Sequence, residues 1–497
     1  MLARTVTVVR GAPGSLVGKG LPVGCSGEAF ANAWQMSSLP LLPERGAVMG
    51  VLTPFTSRFR HPAQVVVAAF GLTVAVGTTL LALPIATTEG VSAGWVAALF
   101  TATSAVCVTG MAIVDTESHW SVFGELVIAG LVQAGGLGIM TMATVFTLLL
   151  SGRLGLRARI AVQAETKTLS MSDVRHVLRK VVVFSLICEA VAAAVLTTRF
   201  VTGYDEPFGR ALYLGVFHAI SAFNDAGFAL WPDSLMRFVS DGWICLTVAI
   251  ASIISGLGFP VVFELARSWR RPGKWTILTK ITVWVTAVLL VLGTLAFLVI
   301  EWRNPRTLGP LDDGGKVLAA FFAAVMPRSA GFNTLDISQM HPSSWLTTDL
   351  LMFIGGGSAG TAGGIKVTTI GLLAFVVWAE LRGEGRVNIG HRSLPDTAQR
   401  QAVTITALGV TIVGLATYLL LALTPYSLDQ VLFEVVAAFG TAGLSTGITA
   451  NIGTAGHLLL VVLMFIGRIG PLTLGSALAL NRRARHYELP EERVIVG

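Results

Sequence analysis

Four short segments of the chain carry the same step roughly every 110 residues. They read "TSAVCVTGM" at 103–111, "SAFNDAGFAL" at 221–230, "MPRSAGFNTL" at 326–335 and "AFGTAGLSTG" at 438–447, and each sets a glycine before Met, Phe or Leu. Aligned on Gly110, Gly227, Gly331 and Gly443, they imply one supersecondary unit used four times. Every copy follows a short apolar piece and lies between two long apolar runs. The unit therefore reads as span, half-helix, extended loop, span. The half-helices are expected near 93–104, 209–222, 316–327 and 427–440.

Composition decides what those runs are. Of the 497 residues 53% are apolar and only 13% charged, with a mean hydropathy of +0.73, whereas soluble domains carry about 25% charged residues. A membrane span needs about 20 apolar residues. Eight candidates fall at 65–86, 123–150, 181–201, 242–263, 279–300, 346–380, 402–424 and 456–480. The net charge of +7 clusters in "SGRLGLRAR", "DVRHVLRK", "ARSWRRPGKW", "ELRGEGRVNIGHR" and "NRRARH", while "DTESH", "TGYDEP", "LGPLDDGG" and "LDISQMH" are acidic or mixed. The positive-inside rule puts the first set, and both termini, in the cytoplasm. Basic clusters confined to span ends give no support to nucleic-acid binding. They suit membrane lipid headgroups or a cytosolic partner. Cys25, Cys107, Cys188 and Cys245 lack metal-site spacing and read as small apolar groups. Residues 1–60 hold no convincing span or signal peptide, and are expected to form a partly disordered cytoplasmic extension or to reflect an upstream start before Met49.

Irregular backbone at membrane depth survives only when buried in protein or lining a water-filled cavity. Four such loops call for one shared polar space, and a pseudo-fourfold all-α arrangement around a single pore supplies it. Glycine reaches the positive-φ backbone that aims carbonyls inward at low steric cost. A ring of carbonyls can replace a cation's hydration shell, and half-helix C-termini turned toward it add negative potential. The candidate filter comprises Val106, Cys107, Val108, Thr109 and Gly110; Asn224, Asp225, Ala226 and Gly227; Arg328, Ser329, Ala330 and Gly331; and Thr441, Ala442 and Gly443. No acidic ring aligns across the loops, which argues for a monovalent ion.

These loops and the eight-span plan resemble the Trk/Ktr/HKT potassium-transport superfamily over residues 60–497. The tail "YELPEERVIVG" and the lack of extra N-terminal spans are most similar to the Ktr-type membrane subunit. The resemblance implies potassium as the transported ion, since sodium-favouring members commonly carry serine where Gly110 stands. It also implies sodium as a candidate activator, a homodimer, and a cytosolic ring of nucleotide-binding regulatory subunits. "NDAGF" departs from the frequent Asn-Asn-Ala-Gly-Phe, and Asp225 is expected either to attract cations at the mouth or to be neutralised by Arg or a hydrogen bond.

Within the sixth span, "FIGGGSAGTAGGIKVTT" has six glycines in residues 355–364. Each costs about 1 kcal/mol in a helix relative to alanine, so the span should break. The segment Gly355, Gly356, Gly357, Ser358, Ala359, Gly360, Thr361, Ala362, Gly363, Gly364 is similar to the family's intramembrane gating loop. Lys366 and Arg468 flank that candidate gate. Arg468 should face a cavity below the filter, either pairing with the loop or forming a structural ion pair. Lys366 is expected to reach for the cytoplasmic edge, Glu189 to pair with a neighbouring helix, and "GGLGIM" at 135–140 to serve close helix packing.

The glycine-rich stretch also spells two soluble-enzyme motifs. Gly355, Gly357 and Gly360 with Glu380 mimic a dinucleotide fingerprint, and Gly356–Gly360 mimics a nucleophile elbow centred on Ser358. Both require a strand before the turn, and these flanks are helical. No organic cofactor, Walker motif or catalytic residue is expected. The rival readings are a substrate-coupled secondary transporter, which would show inverted repeats, and a membrane-embedded serine hydrolase at Ser358. The expected organisation is an extension at 1–60, pore units at 61–150, 175–265, 275–382 and 400–482, and a cytoplasmic tail at 483–497, all in the cell membrane.

Overall fold

The chain divides into a unit of residues 1–58 and one of 59–497. The structure, a computed structural model, describes residues 62–151, 171–358, 360–384, 387–389 and 392–470, all in the second unit. The N-terminal extension, Ala359, the basic loop at 152–170 and everything beyond 470, the tail included, lie outside the described residues.

Four helix–loop–helix units follow one another. The first runs α1 (Pro62–Leu81), α2 (Trp95–Val106) and α3 (Val122–Ser151). The second runs α4 (Met171–Tyr204), α5 (Phe208–Phe223), α6 (Gly242–Leu257) and α7 (Phe259–Ser268). The third has α8 (Ile277–Glu301), α9 (Asp313–Val325), α10 (Pro342–Phe353) and α11 (Val367–Leu381). The fourth has α12 (Asp396–Leu423), α13 (Leu428–Gly440) and α14 (Gly453–Ile469). Between α11 and α12 a small hairpin pairs β1 (Asn388–Ile389) with β2 (Arg392–Ser393), a departure from the expected all-helical chain.

Local chemistry sets several helix starts. Asp312 accepts from Gly315 N to cap α9, Asp241 from Trp243 N and Ile244 N to cap α6, and Ser427 opens α13 with a capping box closed by Gln430. The short helices α2, α5, α9 and α13 occupy the expected half-helix positions and are buried along their C-terminal turns; α13 is buried continuously from Phe433 to Gly440. Long helices surround them and leave large apolar side chains such as Leu72, Trp284, Val299 and Tyr418 exposed. That inversion, apolar outside and polar-bearing loops inside, suits a lipid surround.

By length and composition, three described helices suffice to cross a membrane, at 179–204, 277–301 and 396–423; the bent pair α6–α7 would make a fourth. Eight continuous spans are therefore not what the described residues present. The fourth expected span, 242–263, stops at Leu257. Gly258 takes φ +90 there, and Pro260 follows in the first turn of α7, which leaves at 100° to α6. The sixth expected span breaks, as its glycines imply, into α10 and α11 around an irregular stretch. The last, expected to 480, is described as helix to Ile469.

Candidate ion pathway

Each buried helix hands its C-terminus to a loop of related construction. The N–H before the glycine reaches five residues back in three copies: Thr109 bonds Ser104 O at 2.7 Å, Ala226 bonds Ser221 O at 2.7 Å and Ala442 bonds Ala437 O at 2.8 Å, whereas in the third Ala330 and Gly331 both bond Met326 O, at 3.0 and 3.1 Å. Two left-handed residues follow in every copy. Val108, Asp225, Ser329 and Thr441 have φ between 49 and 89, and Gly110, Gly227, Gly331 and Gly443 have φ between 70 and 84. A β-branched residue at positive φ is strained, and here it recurs at equivalent places.

The four glycines meet. A Cβ added at Gly110 would overlap Ala226 O. At Gly227 it would stand 2.8 Å from Gly331 Cα and 3.0 Å from Ala330 O, and at Gly331 2.8 Å from Ala442 O. At Gly443 it would overlap Thr109 O. Each glycine thus abuts the next loop in chain order, the fourth closes on the first, and in every case the neighbouring atoms include the carbonyl just before the next glycine. Sequence reasoning located these residues, and the structure brings all four segments together.

The stretch between α10 and α11 lies against them. Its ends pair through Gly355 N to Ile365 O (2.9 Å) and Val367 N to Gly356 O (3.0 Å), with Ile354 and Ile365 bridged in parallel. Thr361 Oγ1 donates to Asp225 Oδ2 at 2.7 Å, and Gly363 N donates to Ser329 Oγ at 3.0 Å. Ser329 Oγ in turn donates to Thr441 O at 2.9 Å, and a Cβ on Gly363 would overlap Thr441 Oγ1. Gly357 N bonds Gly256 O at 2.6 Å, at the end of α6. Three of the four filter loops therefore touch this one segment.

Its charged neighbours take one of the two expected courses at Asp225 and Arg468 and depart from expectation at Lys366. Asp225 is 1% exposed and turns its carboxylate to Thr361, so it is held by a hydroxyl and does not sit at an open mouth. Arg468 makes no ion pair among the described residues; its guanidinium donates to Thr361 O and, at 2.9 Å, to Gly135 O. Lys366 stays beside the loop and donates to Ala362 O at 2.5 Å, so it does not reach for the membrane edge. Arg328 swings its Nη2 toward Thr286 Oγ1 (3.2 Å) and Gly355 O (3.4 Å), which leaves only its backbone to the filter. Ser358 shares a bond with Thr368 Oγ1 at 2.7 Å and, among the described residues, has no hydrogen bond to an imidazole that could activate it as a nucleophile.

Four residues outside the expected filter also bear on it. Glu189 accepts from Gln133 Nε2 at 3.0 and 3.2 Å and from Asn224 Nδ2 at 3.2 Å, while Asn224 Nδ2 also reaches Gln133 Oε1 at 2.8 Å. This buried acid thus pairs with the neighbouring helix α3 through Gln133, as expected, and also with the second glycine loop through Asn224. Gly135 and Gly136 let α3 come in close: a Cβ on them would overlap Val106 O and Asn224 Oδ1. The "GGLGIM" packing signal is therefore one of contact with two filter loops.

Fold and site together define a multi-pass, all-helical membrane transport protein. A family model described as "TrkH: Cation transport protein" matches residues 51–483, and the chain belongs to that family. It is 41% identical over 438 residues to the Ktr system potassium uptake protein B of Bacillus subtilis, covering 88% of this chain and 97% of that one. It is 38% identical over 419 residues to the protein of the same name in Vibrio alginolyticus (84% and 91% covered). It is 33% identical over 442 residues to the potassium/sodium uptake protein NtpJ of Enterococcus hirae (88% and 97%). Among solved structures, the potassium transporter TrkH from Vibrio parahaemolyticus superposes with a TM-score of 0.67 at 18% identity, covering 84% of each chain. That last likeness speaks for the fold alone.

Proposed function

We propose that the chain is the ion-translocating subunit of a Ktr-type potassium uptake system, passing potassium down its electrochemical gradient through one pore. The observation that carries this reading is the closed cycle of Gly110, Gly227, Gly331 and Gly443 with the carbonyls of Thr109, Ala226, Ala330 and Ala442 between them. Four units of shared backbone arranged pseudo-fourfold offer those oxygens in place of water. The C-termini of α2, α5, α9 and α13 add partial negative charge beneath a cation. Val106–Gly110, Asn224–Gly227, Arg328–Gly331 and Thr441–Gly443 form the filter in this reading. Gly110, where sodium-favouring members of the superfamily resembled here commonly have serine, supports potassium as cargo.

The segment 355–364 is the gate. Held to Asp225, Ser329 and Arg468, it blocks the route below the filter, and passage requires it to move aside. The four units cross the membrane eight times with both termini cytoplasmic. A homodimer seated on a cytosolic nucleotide-binding ring, which the resemblance to the Ktr-type membrane subunit implies, is part of this reading. Sodium enters this reading as an activator. The test is rescue of cells lacking potassium uptake at low external potassium with sodium varied. Growth restored only by the intact chain is expected, and no rescue with normal membrane insertion would refute the proposal.

A further inference from the structure

Each buried helix has a buried residue nine positions before its loop glycine. The four are Thr101, His218, Phe322 and Glu434. In two units this side chain holds the same main-chain atom, the N–H three positions past the glycine. Leu230 N donates to His218 Nε2 at 3.2 Å, and Thr446 N donates to Glu434 Oε1 at 3.0 Å. An imidazole and a carboxylate have little in common except an acceptor, and both are buried, at 1% and 0% exposure.

The surroundings prepare each acceptor. His218 Nδ1 lies 2.7 Å from Leu214 O on its own helix, which puts the ring proton on Nδ1 and leaves Nε2 free to accept. The ring stacks on Trp231 with centroids 4.4 Å apart. Glu434 also receives Ser445 Oγ at 2.6 Å and Thr449 Oγ1 at 2.7 Å, so the turn after the glycine is gathered onto one carboxylate. At the matching places Thr101 Oγ1 has no partner, and Phe322 has no polar atom to offer. The glycine cycle runs in chain order, so the second and fourth units stand opposite each other.

We infer that His218 and Glu434 are positioning residues that clamp the outgoing legs of two opposite filter loops, fixing filter width across one diagonal and thereby discrimination between alkali cations. Neither touches the ion; each acts through the loop it holds. The inference rests on the filter reading above.

The experiment measures rubidium uptake and its inhibition by sodium in potassium-uptake-deficient cells expressing the full chain. His218→Phe keeps an aromatic ring, as the third unit does naturally, but removes the acceptor. Glu434→Leu does the same for the fourth. His218→Gln and Glu434→Gln restore an acceptor oxygen. Leaving one buried N–H unsatisfied should lower potassium-over-sodium discrimination about tenfold, with the glutamine variants near wild type. Thr101→Ala and Phe322→Leu should leave discrimination unchanged. Amide exchange at Leu230, measured on purified His218→Phe protein, should accelerate. Wild-type discrimination in either acceptor-less variant, or unchanged protection of Leu230, would overturn the clamp. A Gly110→Ser control separates the cases: a clamp failure with altered selectivity in that control leaves the filter standing, and no change in the control removes the filter itself.

Discussion

Replacing Thr361 with valine should make the pathway leak. The hydroxyl donates to Asp225 Oδ2 at 2.7 Å, so the variant removes one donor from this buried carboxylate and leaves the Ser255 hydroxyl beside it. Valine matches threonine in shape, and little else changes. A hydrogen bond to a charged group contributes about 1.5–3 kcal/mol. If the bond exists only while the loop lies under the filter, its loss shifts the closed-to-open ratio by about 10- to 150-fold, at 1.4 kcal/mol per factor of ten. The loop keeps its other anchors, Arg468 on Thr361 O and Gly363 N on Ser329 Oγ, so folding should survive. Potassium flux from proteoliposomes, normalised to reconstituted protein, gives the answer. Faster flux with unaltered potassium-over-sodium preference is expected, because the filter backbone is untouched. Flux equal to or below that of the wild type would refute a latch between this loop and the second filter loop.

Gly110→Ser should weaken discrimination between potassium and sodium: the residue sits at φ +84, and a Cβ there runs into Ala226 O. Relative fluxes that stay the same would contradict the filter assignment. Ser329→Ala removes the bonds to both Thr441 O and Gly363 N; it should raise flux and lower selectivity together, and a change in only one of them would count against a shared anchor. Past the expected span at 242–263, Glu264 on α7 accepts from Thr276 N (2.7 Å), Thr276 Oγ1 (2.7 Å) and Thr279 Oγ1 (2.5 Å). Burial opposes ionisation there, but the two hydroxyls and the amide outweigh it and hold the carboxyl below its ordinary range. A depressed folded-state pKa stabilises above the unfolded value of about 4.3, and the benefit fades as pH falls through the folded one. Intrinsic-rate-corrected amide protection at 259–280 should therefore drop in acid for wild type and stay flat for Glu264→Gln; parallel curves would be the contrary result.

What could be read beforehand follows from how far apart the causes lie along the chain. The half-helices and the four loop glycines were legible because they repeat and because glycine marks a positive φ. The break at 354–366 was legible for the second reason, since a helix cannot run through six glycines. By contrast Val108, Asp225, Ser329 and Thr441 also take positive φ, and nothing in those residue types announces it. The bend after Leu257 had a local signal, Gly258 followed by Phe259 and Pro260, that one apolar run from 242 to 263 concealed. Side-chain partners were out of reach altogether. Glu189 meets Gln133 and Asn224, and Arg468 meets carbonyls at 361 and 135, pairings that close only once the four units are assembled.

The assembled units are alike in backbone and unlike in side chains, and each property has its own physical reason. An alkali ion is nearly a point charge, and oxygens at equivalent depth serve it best when the loops bend alike; hence the recurring pair of left-handed residues. A gate has no use for that equality, because a single segment closes the route and must be held from particular sides. The second loop supplies Asp225, the third Ser329, the fourth the surface of Thr441 against Gly363, and the first contributes through α3, whose Gly135 O shares Arg468 with Thr361 O. Moving the segment aside therefore breaks bonds to residues that also shape the filter. In the proposed reading, opening and selectivity are coupled most strongly through Ser329, which bonds a filter carbonyl and the gate with one hydroxyl, and least through the Thr361 hydroxyl, which meets a carboxylate and no filter carbonyl.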